Sequence, residues 1–293
     1  MSDILVIGGS NIDFSSRSDK PLIRGDSNIG KRTISFGGVG RNVCENLAHL
    51  HDSVSFITAI GKDSRGQERK KSLEQMGIKT YVPDLDYPSG SYNVILDSNG
   101  NRFVAICETS FLDHLRGEDR KPFDSLIQGH EYIVLEANRN QNVIDYLFDN
   151  YPDKKFLVET VSANKVSRFV PHLSQIYLFK SNVLESKYAL NEEKDPIGLA
   201  KDLLERGVKN VVISNGPRPI TFGNKDSIEQ RKVVPRKDIA SENGAGDALF
   251  SGILHSLHQG KSLKEAVAFG SLVSERTLNY PGACNPEIGK LVK

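Results

Sequence analysis

The sequence predicts an α/β protein: a mostly parallel central sheet, helices on its faces, and a smaller sheet set over one edge. Three observations carry this. Short apolar runs alternate with longer amphipathic stretches, the pattern of repeated βα units. Two segments, 12–36 and the stretch around Tyr92–Ile106, break that rhythm and read as strands of a separate small sheet. Near the C-terminus, Asn243-Gly244-Ala245-Gly246-Asp247-Ala248 puts two glycines and a carboxylate at the mouth of a buried helix.

The first strand candidate spans 4–8. The polar segment 12–36 lacks helical spacing but alternates over Thr33-Ile34-Ser35-Phe36, as a strand does. Helical patterns cover 42–50 and 65–76, with a strand over 54–60 between them, and Gly77 sits where a helix commonly stops. Tyr92–Leu96, then Asn99-Gly100, then Phe103–Ile106 reads as a hairpin, since Asn-Gly suits a tight turn. Strands over 132–136, 156–159, 176–179 and 211–214 then alternate with helices over 142–150 and 195–206, the last stopped by Gly207. Ala248, Leu249, Gly252, Ile253 and Leu257 recur at helical spacing after Gly244, and Ser262-Leu263-Lys264-Glu265 has the spacing of a capping box. The expected division is a main α/β domain over 1–11, 37–87 and 112–293, with a β-sheet lid over 12–36 and 88–111. Such a lid would hang over the carboxyl ends of the parallel strands, where open α/β sheets bind ligands.

Composition narrows the function. Thirty-eight basic residues face 37 acidic ones, a net charge of +1, and no long block of like charge appears, which argues against a nucleic-acid partner. The 3 cysteines, Cys44, Cys107 and Cys284, are scattered and form neither a disulfide framework nor a zinc spacing. No apolar run reaches the length of a membrane span, and no basic region, apolar stretch or cleavage site precedes the first strand. A soluble, cytoplasmic protein is expected.

The helix start at Gly244 exposes unpaired amides and the positive end of the helix dipole, and together these favour an anion. Glycine at 244 and 246 lets a bulky anion reach the backbone. An acid in a first helical turn can merely complement the dipole. Flanked by these glycines, Asp247 suits taking a proton from a hydroxyl that attacks phosphorus.

Gly37-Gly38-Val39-Gly40-Arg41-Asn42 opens another helix, either as a tight turn or as a place of close polar approach. Asn11 and Asp13 lie just past the first strand and could hold vicinal hydroxyls, or could be ordinary turn residues. Asn182 and Glu185, three apart at a helix start, form either a capping box or an amide and carboxylate serving phosphate and hydrated magnesium. Ser214-Asn215-Gly216 closes the next strand and would wall a nucleotide. One motif misleads. Gly25–Lys31 nearly matches a P-loop, but Arg32 replaces the magnesium-binding hydroxyl and no strand–loop–helix surrounds it.

Taken together, the chain resembles the ribokinase-like carbohydrate and nucleoside kinases over essentially its whole length. Ser241–Asp247 represents the family's D-T-x-G-A-G-D signature, and Gly37–Asn42 its N-terminal glycine signature. The segments 37–47 and 158–165 are most similar to the pseudouridine kinase subgroup. The resemblance implies a three-layer α/β/α fold with a lid and ATP-dependent phosphorylation of a nucleoside 5′-hydroxyl, most of all that of pseudouridine. A different acceptor such as ribose or adenosine, or a non-catalytic nucleoside sensor, is the competing expectation. By the same resemblance, Asp247 would be the base, and Gly244, Ala245 and Gly246 would hold the γ-phosphoryl oxygens. Asn11, Asp13, Gly37, Gly38 and Asn42 would bind the sugar. Asn182, Ser214 and Gly216 would serve ATP, Asn279 would lie near the adenine, and Glu185 would reach Mg2+ through water. Relatives suggest a homodimer through the lid. Ser241 replaces the first acid of the signature, which leaves the family's monovalent cation in question. Glu159-Thr160 stands where the subgroup shows Asp-Pro, and Cys107–Ser110 departs from the subgroup's pattern after the hairpin.

Overall fold

The computed structural model describes residues 4–83, 87–108, 121–234 and 239–292. Thirteen strands are β1 (Ile4–Ile7), β2 (Asn11–Ser18), β3 (Gly30–Gly37), β4 (Val54–Ile57), β5 (Lys79–Tyr81), β6 (Ser91–Leu96), β7 (Arg102–Glu108), β8 (Tyr132–Glu136), β9 (Lys155–Glu159), β10 (Ile176–Asn182), β11 (Asn210–Asn215), β12 (Arg218–Asn224) and β13 (Ile228–Arg231). The helices are α1 (Val39–His49), α2 (Ser64–Gln75), α3 (Asp124–Gln128), α4 (Gln141–Asn150), α5 (Ala163–Val166), α6 (Val183–Leu190), α7 (Pro196–Glu205), α8 (Ala245–His258) and α9 (Leu263–Leu278).

Nine strands form one sheet in the order β13-β12-β11-β10-β9-β8-β1-β4-β5. It is parallel from β11 to β5, and β12 and β13 add antiparallel at one edge. Parallel strands covered on both faces read as unbroken apolar runs, which is why Ile4-Leu5-Val6-Ile7 is buried throughout. Alternate side chains go to opposite cores. Leu5 and Ile7 pack with Val143, Leu147 and Phe148 of α4 and Leu199 and Leu203 of α7. Ile4 and Val6 pack with Val43 and Leu47 of α1, Leu249, Phe250 and Ile253 of α8, and Val267 of α9. The three-layer architecture follows. Each fully buried side chain of this size contributes about 1.5–3 kcal/mol to it.

Four strands, in the order β3-β2-β6-β7, make the second sheet. Its β2–β6 pair is parallel while the β2–β3 and β6–β7 pairs are antiparallel. The predicted hairpin is present, but its turn is wider than a two-residue Asn-Gly. Asp97 donates to the Asn101 carbonyl, and Gly100 takes a φ of 89°. The expected sheet boundaries at 111–112, and Thr109 and Ser110, lie outside the described residues.

Local signals placed most helices within a residue or two. Asp195 and Ser262 cap α7 and α9 through their side chains, the latter in a full capping box. Helix α1 starts at Val39, three residues before the apolar spacing suggests, because Gly38 at φ 101° supplies the turn directly. Residues 25–31 run through a loop into β3 with no following helix, as the rejected P-loop requires.

Candidate active site

All the parallel strands end on one edge of the large sheet, and the predicted residues gather there. Gly244 caps α8 with φ 78°, in the left-handed region that a side chain resists. A Cβ there would stand 2.0 Å from the Ala283 carbonyl oxygen, so the C-terminal segment closes tightly under the turn. The Asp247 carbonyl accepts from the Ser251 hydroxyl at 2.7 Å, and that of Ala245 from Ser274 at 2.8 Å. The backbone of this first turn is therefore fixed before any ligand arrives.

Asp247 is partly buried. Its Oδ2 accepts from the Asn42 amide nitrogen at 2.8 Å, across 205 residues of sequence. Burial pushes its carboxyl up to about 6, against the lowering effect of the Asn42 bond and the Lys180 charge, with the Glu136 charge raising it further. A base that titrates just below neutrality is ionised at pH 7 yet still basic enough to take a proton.

The opposite wall comes from the roots of the lid. Asn11 pairs with Gly37 across β2 and β3. A Cβ on Gly37 would lie 2.1 Å from Asp13 Oδ2, so the glycine makes room for that carboxylate. Burial raises Asp13 to about 6 although the Arg41 charge opposes it. Gly38 abuts the Gly9 carbonyl, and the Arg41 amide donates to that same oxygen at 3.0 Å. Asn11 is thus in register with Gly37, Gly37 abuts Asp13, and Gly38 opens the helix whose Asn42 reaches Asp247.

On the other side of Gly246 lies a cavity of about 530 Å³ lined by Ser214, Gly216, Ile220, Val234, Ala245 and Leu278, among others. Its apolar walls and its contact with the α8 turn suit a nucleotide. Asn279 caps α9 one residue beyond Leu278 and is not part of that lining. Asn182 and Glu185 form the capping box of α6. Glu185 Oε2 accepts from the Asn182 amide at 2.8 Å and from the Thr160 hydroxyl at 2.6 Å. Oε1 takes neither contact. A single carboxylate oxygen fits a hydrated magnesium ion held mostly by phosphates, and no cluster of three metal-binding side chains occurs among the described residues. Ser241 uses its hydroxyl locally, accepting from the Asn243 amide at 3.1 Å.

Sequence reasoning missed a row of charges. Strands β8, β9 and β10 each run apolar and then reach Glu136, Glu159 and Lys180, which stand in register across the sheet. Lys180 Nζ lies 2.7 Å from Glu159 Oε2, both side chains being nearly inaccessible. Burial raises Glu159 to about 8 despite Lys180, with the charges of Asp247 and Glu185 adding to the rise. Burial pulls Lys180 down, but Glu159 beside it wins and holds it above the ordinary lysine range. Lys180 Nζ would also lie 3.1 Å from a Cβ on Gly246, so its ammonium sits directly against the anion turn. The available signal was a charged residue closing each of three apolar runs, and it becomes a cluster only once the register is known.

Comparison with known proteins identifies the family and the fold. The model of the pfkB family carbohydrate kinases matches residues 1–289. The chain is 28% identical to pseudouridine kinase of Escherichia coli, over 97% of this chain and 93% of that one. It is 24% identical to guanosine-inosine kinase of Exiguobacterium acetylicum, with 95% of each covered. Ribokinase of Thermotoga maritima superposes with a TM-score of 0.82 at 19% identity, covering 99% of both chains, which shows the shared fold.

Proposed function

The chain belongs to the pfkB family of carbohydrate kinases, a phosphotransferase of sugar or nucleoside alcohols with ATP as donor, and from that premise we propose that its acceptor is pseudouridine, phosphorylated at the 5′-hydroxyl. The observation that carries the chemistry is Asp247, held by Asn42 in the first turn of α8 beside the Gly244–Gly246 amides. Asp247 takes the hydroxyl proton as the oxygen bonds to the γ-phosphorus and the bond to the β-phosphate oxygen breaks to release ADP, while Gly244, Ala245 and Gly246 present amides to the phosphoryl oxygens. Asn11, Asp13, Gly37, Gly38 and Asn42 hold the sugar. Asn182, Ser214 and Gly216 line the path of the triphosphate, with the base of ATP near Leu278 and Asn279. Glu185 would hold Mg2+ through water, and that ion would supply positive charge beside the phosphoryl group. Lys180 adds a fixed cation at the same point. The transition state is loose, so fixed charge and positioning supply most of the acceleration.

The subgroup segments 37–47 and 158–165, and the 28% identity to pseudouridine kinase, support the acceptor. A purine nucleoside is the second reading, favoured by the similarity to a guanosine-inosine kinase. Pseudouridine, uridine, inosine and ribose, each offered with MgATP and scored by ADP release, test it. Pseudouridine should give the highest kcat/KM; inosine or ribose ahead of it would overturn the assignment.

The lid further supports pairing with a second copy of this chain. Asp13 and Tyr92 lie on one face of the small sheet, whereas Ile34, Ile95, Val104 and Ile106 share the other, each more than a third exposed. Light scattering that reads a monomer would remove the dimer from the account. No helix among the described residues is long and apolar enough to cross a membrane.

A further inference from the structure

Three crossings between the large sheet and the lid lie among the described residues: Ser10 into β2, β3 into Gly38, and Ser89 into β6. A charged side chain holds each of them. Arg69 Nη1 donates to the Ser10 carbonyl at 2.8 Å. Arg41 Nη1 donates to the Phe36 carbonyl at 3.2 Å. Asp63 accepts from the Ser89 amide at 2.5 Å through Oδ2 and from its hydroxyl at 3.1 Å through Oδ1.

Two of these three belong to the start of one helix. Asp63 is the N-cap of α2, with Oδ1 also accepting from the Gly66 amide at 2.8 Å, and Arg69 follows within the next two turns. The packing there leaves no slack. A Cβ on Gly61 would come 2.3 Å from the Ser89 nitrogen, and one on Gly66 would come 1.9 Å from the Gly61 carbonyl oxygen. Arg69 is fully buried, and its Nε and Nη2 have no partner. Unpaired buried donors carry a substantial desolvation penalty. What this guanidinium gains in return is the Ser10 carbonyl and the nearby Asp63 charge. The two crossings are also joined to each other, because the Ile12 amide donates to the Gly90 carbonyl at 3.1 Å.

We propose that Asp63 and Arg69 are positioning residues that yoke two entrances of the lid to α2, so that the Asn11–Asp13 strand and β6 move as one piece when acceptor binds. Neither touches the reacting atoms. Arg69 acts through Ser10, the residue before Asn11; Asp63 acts through Ser89, two residues before β6. A lid loosened at these roots presents Asn11 and Asp13 less accurately and admits water beside the γ-phosphate. The nucleotide cavity lies on the far side of Gly246 and shares none of these residues.

The inference rests on the lid closing over the acceptor in the proposed kinase, but not on which acceptor it is. The test compares wild type with Asp63→Asn, Arg69→Lys and Ser89→Ala, using pseudouridine with MgATP. Asp63→Asn should raise the acceptor KM at least about tenfold, leave the ATP KM within about twofold, and release more ADP than phosphorylated product. Arg69→Lys keeps the cation and should retain more of the acceptor affinity. Ser89→Ala removes one bond only and should show the same split at about threefold, which serves if Asp63→Asn does not fold. Hydrogen exchange without substrates should be faster in β2 and β6 of the variants. Folded variants whose acceptor KM, ADP coupling and exchange all match wild type would overturn the yoke. A wild type inactive on pseudouridine would refute the acceptor, with exchange still reporting on the hinge.

Discussion

The two walls around Asp247 are built differently. The wall proposed to meet phosphate consists of the α8 turn, Gly244 wedged against Ala283, and a buried Lys180–Glu159 pair inherited from neighbouring parallel strands. The wall proposed to meet the acceptor hangs from a four-stranded sheet whose outer strands β3 and β7 are largely exposed. A wall fixed by backbone and buried charge can stabilise charge that appears only during transfer. A wall carried on a hinge can admit and enclose a substrate. Changes to the first should therefore act on kcat, and changes to the second on the acceptor KM.

The largest effect that would sharpen this contrast is expected from Lys180→Met, which removes a fixed cation from the anion turn. A fall in kcat of about 10²–10³-fold is expected, with the acceptor KM little changed, as seen in steady-state kinetics. A rise in the acceptor KM alone would erase the distinction. Gly244→Ala should come next. The new methyl must adopt a left-handed φ and displace the Ala283 carbonyl, so kcat should drop about tenfold or more and stability by about 1–3 kcal/mol, read by thermal melting. On the hinged side, Asp13→Asn should raise the acceptor KM about tenfold while kcat at saturation stays within about threefold, the size expected for a charge-assisted hydrogen bond.

The smallest effect is in the pH profile. Asp247 and Asp13 both titrate at about 6, so kcat/KM should fall below that pH with a slope approaching two, and Asp13→Asn should reduce the slope to one. The sign for stability is opposite. A carboxyl whose folded pKa is raised stabilises the protein fully below its unfolded value near 4, and this contribution is lost as pH rises through about 6. Asp247→Asn should therefore melt above wild type at pH 8 by up to about 3 kcal/mol of stability, and the gap should close towards pH 4.

Much of this was legible in the chain. Apolar runs located the inner strands, Gly207 and the Ser262 capping box marked the ends of their helices, and the glycines around Asp247 marked the α8 turn. Strands β12 and β13 escaped because a mixed antiparallel edge carries no unbroken apolar run, and β5 because it has only 3 residues. The spacing of Asn182 and Glu185 left a capping box and a ligand role open; the box is present, and it leaves one carboxylate oxygen over. The pairing of Lys180 with Glu159 was hidden for a different reason. The two lie 21 positions apart in sequence, and parallel pairing of β9 with β10 alone brings them into contact. The clamp on the lid roots was equally invisible, since a helix cap at Asp63 gives no hint that Ser89 shares its carboxylate.

The most direct measurement is single-turnover phosphoryl transfer by Asp247→Asn, set beside ATP binding to the same variant by calorimetry. General-base help is worth about 10²–10⁴-fold, so the account predicts a loss of at least about 100-fold in transfer with the nucleotide Kd within about twofold of wild type. A folded variant that keeps more than about a third of wild-type transfer would show that the proton leaves by another route, and that Asp247 is not the base.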